Sequence, residues 1–428
     1  MIIDSRGILG TGCPSYLSLV GVPESTSTPQ SHDITLEITT VPEGLAVLKW
    51  DDELGPVVTA KTPKKLQTGL DPTTSMRVYG IATLGETEES QKPGFSSLAF
   101  GEFKLAVYYG GLNMHLKGLP SMVFLVLGSD EDPDVYKDAL PEIGTQIFLN
   151  AEDDSYKSMV PKLFKQIARY TQMSAEQRQA SILNDPVRRT IVQTLMKNGT
   201  IQSTDLEQMI FEEVGKKIDV DLVLRPLVKM GIIATGWVEG LSSEVIYLTR
   251  ALFILRTISP ETTKAVRKGK LPTDVAESFL QSSRRYHREY VARLRKDLFE
   301  TIWSEAEDLA KYVLDFEAYD IIQILRKGPT ERELLKAEVD LSASKFRKQL
   351  SSLEKANIIS RINDEEGREH ILLKSDPEVA TVYPEWLIQR TVDLYNDEEL
   401  VSRQAMHYLE VLRRSHPSGV GKIAAEVE

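Results

Sequence analysis

Residues 34–172 carry four short apolar runs: "GLAVLKW", "PVVTAKT", "LAFGEFKLAVYYG" and "MVFLVLG". Their β-branched and aromatic content and their flanking turn residues predict strands. "DDELG", closing on Gly55, joins the first two runs and predicts a hairpin. "TTSMRVYGIATLGE" predicts a helix begun by a Thr cap between the second and third runs. "DPDVYKDALPEIGTQIFLN" and "SYKSMVPKLFKQIARYT" read as two closing helices. The expected order is strand, strand, helix, strand, strand, helix, helix.

From Ser174 the period changes. "DPVRRTIVQTLMKNG" predicts a helix capped by Asp185, with Pro186 at its first position and Gly199 at its end. "STDLEQMIFEEVG" predicts a second helix with Ser203 or Thr204 as cap, and "DVDLVLRPLVKMGII" a third that Pro226 interrupts. "ATGWVEGLSSEVIYLT" reads as a hairpin turning at Gly240. Residues 316–375 repeat this order. "VQTLMKNG" aligns with "IQILRKG", and Val220, Leu224 and Leu227 align with Phe346, Leu350 and Leu353. Between the copies, Tyr286, Tyr290, Leu294, Leu298 and Ile302 recur at four-residue steps, which predicts one long helix with an apolar stripe.

The expected organisation is therefore a flexible N-terminus over 1–33 and an α+β unit over 34–172. A mainly α module follows over 174–250, then a long helical linker over 251–315. A second module spans 316–375 and a helical tail 376–428.

Charge sharpens the picture at one place. The chain has 51 basic and 63 acidic residues, a formal charge of −12, which argues against non-specific nucleic-acid affinity over its whole surface. The second module is neutral, with eleven residues of each sign, but its third helix from Ser342 to Gln349 carries only cations. With Phe346, Leu350 and Leu353 inward, Ser344, Lys348, Ser351 and Lys355 fall on the outer face, and Lys345 and Arg347 on its flanks. Ser342 is placed to cap. Hydroxyls and cations on an exposed helix suit phosphate and base contacts. Arg368, just past Gly367 in "NDEEGREH", is placed to meet a phosphate or a minor groove, although Asp364, Glu365 and Glu366 beside it repel one. The run "RRYHREYVARLRK" adds Arg284, Arg285 and Arg288 as a candidate DNA-backbone contact. The first module differs: Asp219, Asp221 and Leu222 stand where Lys345, Arg347 and Lys348 do, so its third helix is expected to pack on a protein surface instead.

Other chemistry finds little purchase. One cysteine, Cys13, excludes an internal disulfide framework, and the six histidines show no ligand spacing, so no metal is expected. There is no phosphate loop of the Gly-Lys-Ser/Thr type and no His-Glu-x-x-His pair, so neither catalysis nor a cofactor is expected. The N-terminus lacks the charge pattern of a secretory signal, and no long apolar run predicts membrane insertion. A cytoplasmic protein is expected.

"VLKWDDELGPVV" resembles the first hairpin of longin and roadblock domains, which are profilin-like α+β folds. "LSASKFRKQLSSLEKANIISRINDEEGREHILL" resembles the reading helix and wing of winged-helix repressors of the multiple-antibiotic-resistance and arsenic-repressor types, and "DPVRRTIVQTLMKNG" the opening helix of the latter. The combination resembles multidomain archaeal regulators. The resemblance implies two winged-helix modules joined by a long helix behind a longin-like domain. It further implies a homodimeric transcription regulator on double-stranded DNA, paired through the long helix and tail. Its N-terminal domain would be a sensing or protein-interaction platform, for a small GTPase in some relatives. The rival expectation is a scaffold without DNA, since tandem winged helices also build ESCRT-II-type trafficking assemblies. The long spacer between the modules disfavours that rival.

Overall fold

The computed structural model describes residues 42–51, 53–82, 93–111, 115–116, 119–151, 154–214 and 220–416. The expectations for the N-terminus over 1–33, for Cys13 and for Asp219 lie outside these residues. The architecture is mixed α and β, with small antiparallel sheets.

The first unit begins with β1 (Gly44–Asp51) and β2 (Gly55–Thr62). The Asp51 carboxylate accepts from the backbone N–H of Glu53 and Leu54, and Gly55 sits at φ +74°, so the acidic turn closes as expected. Helix α1 (Pro72–Ala82) follows. Its cap is Asp71, whose side chain accepts from Thr74 N–H at 2.9 Å, and not a threonine. The single strand expected over "LAFGEFKLAVYYG" is two, β3 (Gly94–Ala99) and β4 (Phe103–Tyr109), because Gly101 at φ +70° turns the chain between them. Then come β5 (His115–Leu116), β6 (Leu119–Gly128), α2 (Ala139–Leu149) and α3 (Tyr156–Ile167).

The sheet order is β2-β1-β6-β4-β3, with β5 on β6. Strand alternation sends Ala46, Leu48, Val107 and Phe124 to the face under α1. It sends Leu45, Val47, Tyr108 and Leu125 to the face under α2 and α3. Gly144 lets α2 approach that face, since a Cβ there would lie 2.2 Å from the Tyr108 ring.

The rest is a duplicated plan. Helix α4 (Ala175–Asn184) leads to α5 (Pro186–Asn198), β7 (Thr200–Gln202), α6 (Ser203–Val214), α7 (Val220–Lys229), β8 (Ile233–Gly236), β9 (Val245–Leu248) and β10 (Ala251–Thr257). Asp185 caps α5 through Arg188 N–H, and Gly199 ends it at φ +80°. Pro226 does not interrupt α7. The helix continues through it, because Val223, Leu224 and Leu227 are buried and hold that face. Next come α8 (Pro260–Arg267), α9 (Thr273–Lys296) and α10 (Leu298–Leu314). The second copy is α11 (Phe316–Arg326), β11 (Thr330–Glu331), α12 (Arg332–Glu338), α13 (Ala343–Lys355), β12 (Ile359–Asn363), β13 (Glu369–Leu373) and β14 (Asp376–Val382). Helices α14 (Trp386–Asn396) and α15 (Ser402–Ser415) follow. The small sheets match in order, β7-β9-β8 and β11-β13-β12.

Three sequence expectations change here. Residues 251–257, expected in a helical linker, form β10, and residues 376–382, expected in a helical tail, form β14; the two strands pair with each other. The long helix is two helices. Asp297 is extended, and its carboxylate caps α10 through Glu300 N–H at 2.9 Å, so Leu298 and Ile302 belong to a different helix from Tyr286, Tyr290 and Leu294. Apolar positions of the stripe and of the tail fold back on the chain itself. Tyr290 and Ile302 are buried within it, and the α15 residues Tyr408 and Leu412 pack on the first module.

Candidate nucleic-acid interface

Helix α13 is amphipathic in the expected register. Phe346, Leu350 and Leu353 are each at most 1% exposed, in one core with Ile322, Leu325 and Leu335. Burying these three side chains contributes about 1.5–3 kcal/mol each, which fixes the opposite face outward. Ser342, Ser344, Lys345, Arg347, Lys348 and Lys355 are all exposed, and Ser351 is half-buried. Ser342 occupies the cap position with extended backbone, but its hydroxyl caps no N–H; it lies 3.3 Å from the Ser344 hydroxyl.

The cations differ in their freedom. Lys345 reaches Glu317 at 2.7 Å, and that hydrogen bond holds the Glu317 carboxyl below its usual range. Gln349 donates to Asp315 and Glu317 from the same flank. Arg347 donates to the carbonyl of Ala343 at 3.3 Å. Lys348 makes no hydrogen bond or ion pair among the described residues. An exposed pair like Lys345–Glu317 stabilises by about 0–1 kcal/mol, so exchanging Glu317 for a phosphate costs little.

The turn between β12 and β13 behaves differently from expectation. Gly367 turns it at φ +81°. Arg368 is drawn back: its Nε lies 2.9 Å from Asp364 Oδ2 and its Nη2 lies 2.8 Å from Glu366. Asp364 also accepts from the backbone N–H of Glu366 and Arg368 and contacts His370 Nε2 at 3.0 Å. The His370 contact first, then Arg368, holds the Asp364 carboxyl well below its usual range. Arg368 therefore closes the hairpin turn, and the tip it closes is acidic.

Arg284, Arg285 and Arg288 are exposed on α9, and Arg285 pairs with Glu289 at 3.2 Å. They do not extend the α13 face. Along the β12–β13 hairpin, Ile359, Ile371 and Leu373 point to the core shared with α13. Ile362 and Leu372 point the other way, onto Val275 and Phe279 of α9. The two basic groups thus lie on opposite sides of the hairpin.

The equivalent helix of the first module touches the N-terminal unit along one flank and leaves Asp221, Arg225, Val228 and Lys229 exposed. Val220, Leu224 and Leu227 are buried like their counterparts. Helix α7 packs against α2 of the N-terminal unit. Arg188 Nη1 lies 2.6 Å from Glu142 Oε1, and both side chains are nearly enclosed. Burial pushes the Glu142 carboxyl up, against the pull of Arg188. Lys229 of α7 pairs with Asp138, and Arg225 and Pro226 share a small cavity with Pro141 and Glu142. The expected packing on protein is seen only at the Pro226 flank, while Asp221 stays exposed.

Sequence reasoning missed one cluster. Arg326, at the end of α11, donates to both oxygens of Glu176 at 2.6 and 2.8 Å and to Asp376 at 2.8 Å, and Tyr319 donates to Glu176. These groups come from α4, α11 and β14, far apart in sequence, so no local pattern announces them.

No helix among the described residues is long and apolar enough to cross a membrane. No protein-family model matches the sequence, and no curated protein matches it either.

Proposed function

We propose that the protein is a DNA-binding regulator whose second winged-helix module docks α13 on a duplex. The observation that supports this most is the contrast between two equivalent helices. Helix α13 presents Ser344, Lys345, Arg347 and Lys348 outward, while α7 has an acid, Asp221, at the position of Arg347 and touches α2 along one flank. In winged helices the third helix enters the major groove, and its N-terminal half reaches base edges. Lys345 and Lys348 serve phosphates, and Arg347 and Ser344 serve base edges or phosphates. Arg368 supports the wing and is not a base reader. The N-terminal unit is a longin-like platform for a protein partner, of which a small GTPase is one candidate class.

Fluorescence titration of duplex DNA over a salt series tests this. Alanine at Lys345, Arg347 and Lys348 together should weaken binding and flatten the log–log salt slope by about two to three contacts at roughly 0.9 each. Unchanged binding by the triple variant would remove the site.

The acidic wing tip favours a second reading, a winged-helix scaffold that binds protein and no DNA. Retention on heparin at about physiological salt separates the two, because a scaffold flows through.

A further inference from the structure

The two modules exchange their arms. Strand β10 leaves the first module, and the α9 helix after it covers the outer face of the second module's hairpin. There His287 Nε2 lies 2.8 Å from the carbonyl of Lys374, and Phe279 packs on Leu372. Strand β14 leaves the second module, and α15 covers the outer face of the first module's hairpin. There the Tyr408 hydroxyl donates to the carbonyl of Leu248 at 3.1 Å, and its ring stacks on Tyr247.

The strand register carries the symmetry. Ala251, first in β10, pairs with Val382, last in β14; Thr257, last in β10, pairs with Asp376, first in β14. Ile254 pairs with Val379, and each is the fourth of seven residues in its strand. That is the pairing of two equivalent strands across a twofold axis. The helices before each module obey the same axis. Helices α4 and α10 pack together, and each ends at an aspartate that caps the next helix, Asp185 and Asp315.

We propose that residues 174–416 are a fused, arm-exchanged pair, so that a single chain is already the twofold unit and takes one duplex through α13 alone. The second clause rests on the DNA reading above. The elements that a single-module protein would offer to a second copy, namely β10, the α9 stripe and α15, are spent inside the chain. The α7 face, which would read a second half-site, carries Asp221 where α13 has Arg347, and its Pro226 flank lies against α2. Among the exposed apolar positions of the described residues, which include Trp237, Leu334 and Met406, Ile388, Val392 and Tyr395 form a stripe on α14 that is open to a second copy. Its occupation by another chain would show as a doubled mass.

Two measurements on the full-length chain test the proposal. In the first, cysteines replace Ile254 and Val379 in a Cys13→Ser background, and the oxidised protein is run without reductant. A cross-link within one chain is expected, with light scattering giving the mass of one chain. A cross-linked two-chain band overturns the fused pair, a two-chain mass with the cross-link inside one chain overturns the single-chain unit, and neither readout depends on DNA. In the second, a duplex of about 15 base pairs, roughly one and a half turns, is titrated with the chain. One chain per duplex is expected. The triple alanine variant of α13 should lose about tenfold or more in affinity, and Arg225→Ala with Lys229→Ala should stay within about twofold of wild type. Equal losses in both variants overturn the one-sided mode. A wild-type chain that binds no duplex ends the DNA reading and the one-sided mode with it, and leaves the fused pair to the cross-link.

Discussion

Arg326 shows how much one side chain can hold. Its guanidinium meets two carboxylates with good geometry, and its side chain is 21% exposed, against 16% for Glu176 and 11% for Asp376. Removing the cation leaves two half-buried anions facing each other. Arg326→Ala should lower unfolding stability by about 3–5 kcal/mol, measured by denaturant titration. Adding Glu176→Gln and Asp376→Asn should recover part of that loss, and no recovery would argue that the guanidinium acts through packing. The acid side of the profile follows from Glu176. Burial raises its carboxyl, but the hydrogen bonds and charge of Arg326 outweigh this and hold it below 4.5. Its contribution is thus present above 4.5 and lost as pH falls through the lower folded value. Asp376 runs the other way, because burial raises it. Glu176→Gln should flatten the fall in stability below about pH 4.5 that its own titration causes, seen in melts across that range. Gly199 is a second residue of this kind. It sits at φ +80°, and a Cβ would lie 2.5 Å from the Tyr408 ring. Gly199→Ala should cost about 1–3 kcal/mol through strain and overpacking, and a neutral result would mean that α15 can move away.

At the scale of elements, local chemistry decided what could be read ahead. The β1–β2 hairpin was legible because Asp51 and Gly55 make its turn by themselves. Helix α5 was legible from Asp185, Pro186 and Gly199, and α13 from the spacing of Phe346, Leu350 and Leu353. Strands β10 and β14 were not, since each is a single strand whose partner lies on the other module. The four-residue stripe ran through Asp297 because a cap residue leaves the apolar period intact on either side of it. The cationic face of α13 was legible, but the capture of Arg368 by Asp364 was not, because pattern gives position and not pairing. The exchanged arms make an element-scale prediction. Phe279 is buried against Leu372 across the α9–hairpin contact. Phe279→Ala should cost about 3–5 kcal/mol and loosen α9 before the rest. Hydrogen exchange should quicken in α9 while α4 and α10 stay protected. Uniform quickening would show that the arm and module unfold as one.

For the whole molecule the question is whether the N-terminal unit and the duplicated part behave as one body. One enclosed ion pair, Arg188 with Glu142, bears much of the polar contact between them, with Asp185 and Asp138 nearby. Losing the guanidinium leaves a carboxylate enclosed beside two further acids. Arg188→Ala should therefore cost about 3–5 kcal/mol at neutral pH. The pH dependence of that loss identifies its source. Burial already pushes the Glu142 carboxyl above 4.5 in the folded chain, and without Arg188 nothing opposes it from the same contact. A carboxyl raised on folding favours the folded state below its unfolded value, and that advantage fades as pH rises through the folded value. The deficit of Arg188→Ala relative to wild type should therefore shrink as pH is lowered from 7 towards about 5, in parallel thermal melts. A deficit that is constant with pH would place the loss in packing around α5. The DNA affinity proposed for α13 should be unchanged in the same variant, because α13 lies in the other module and shares no ion pair with Arg188 or Glu142 among the described residues.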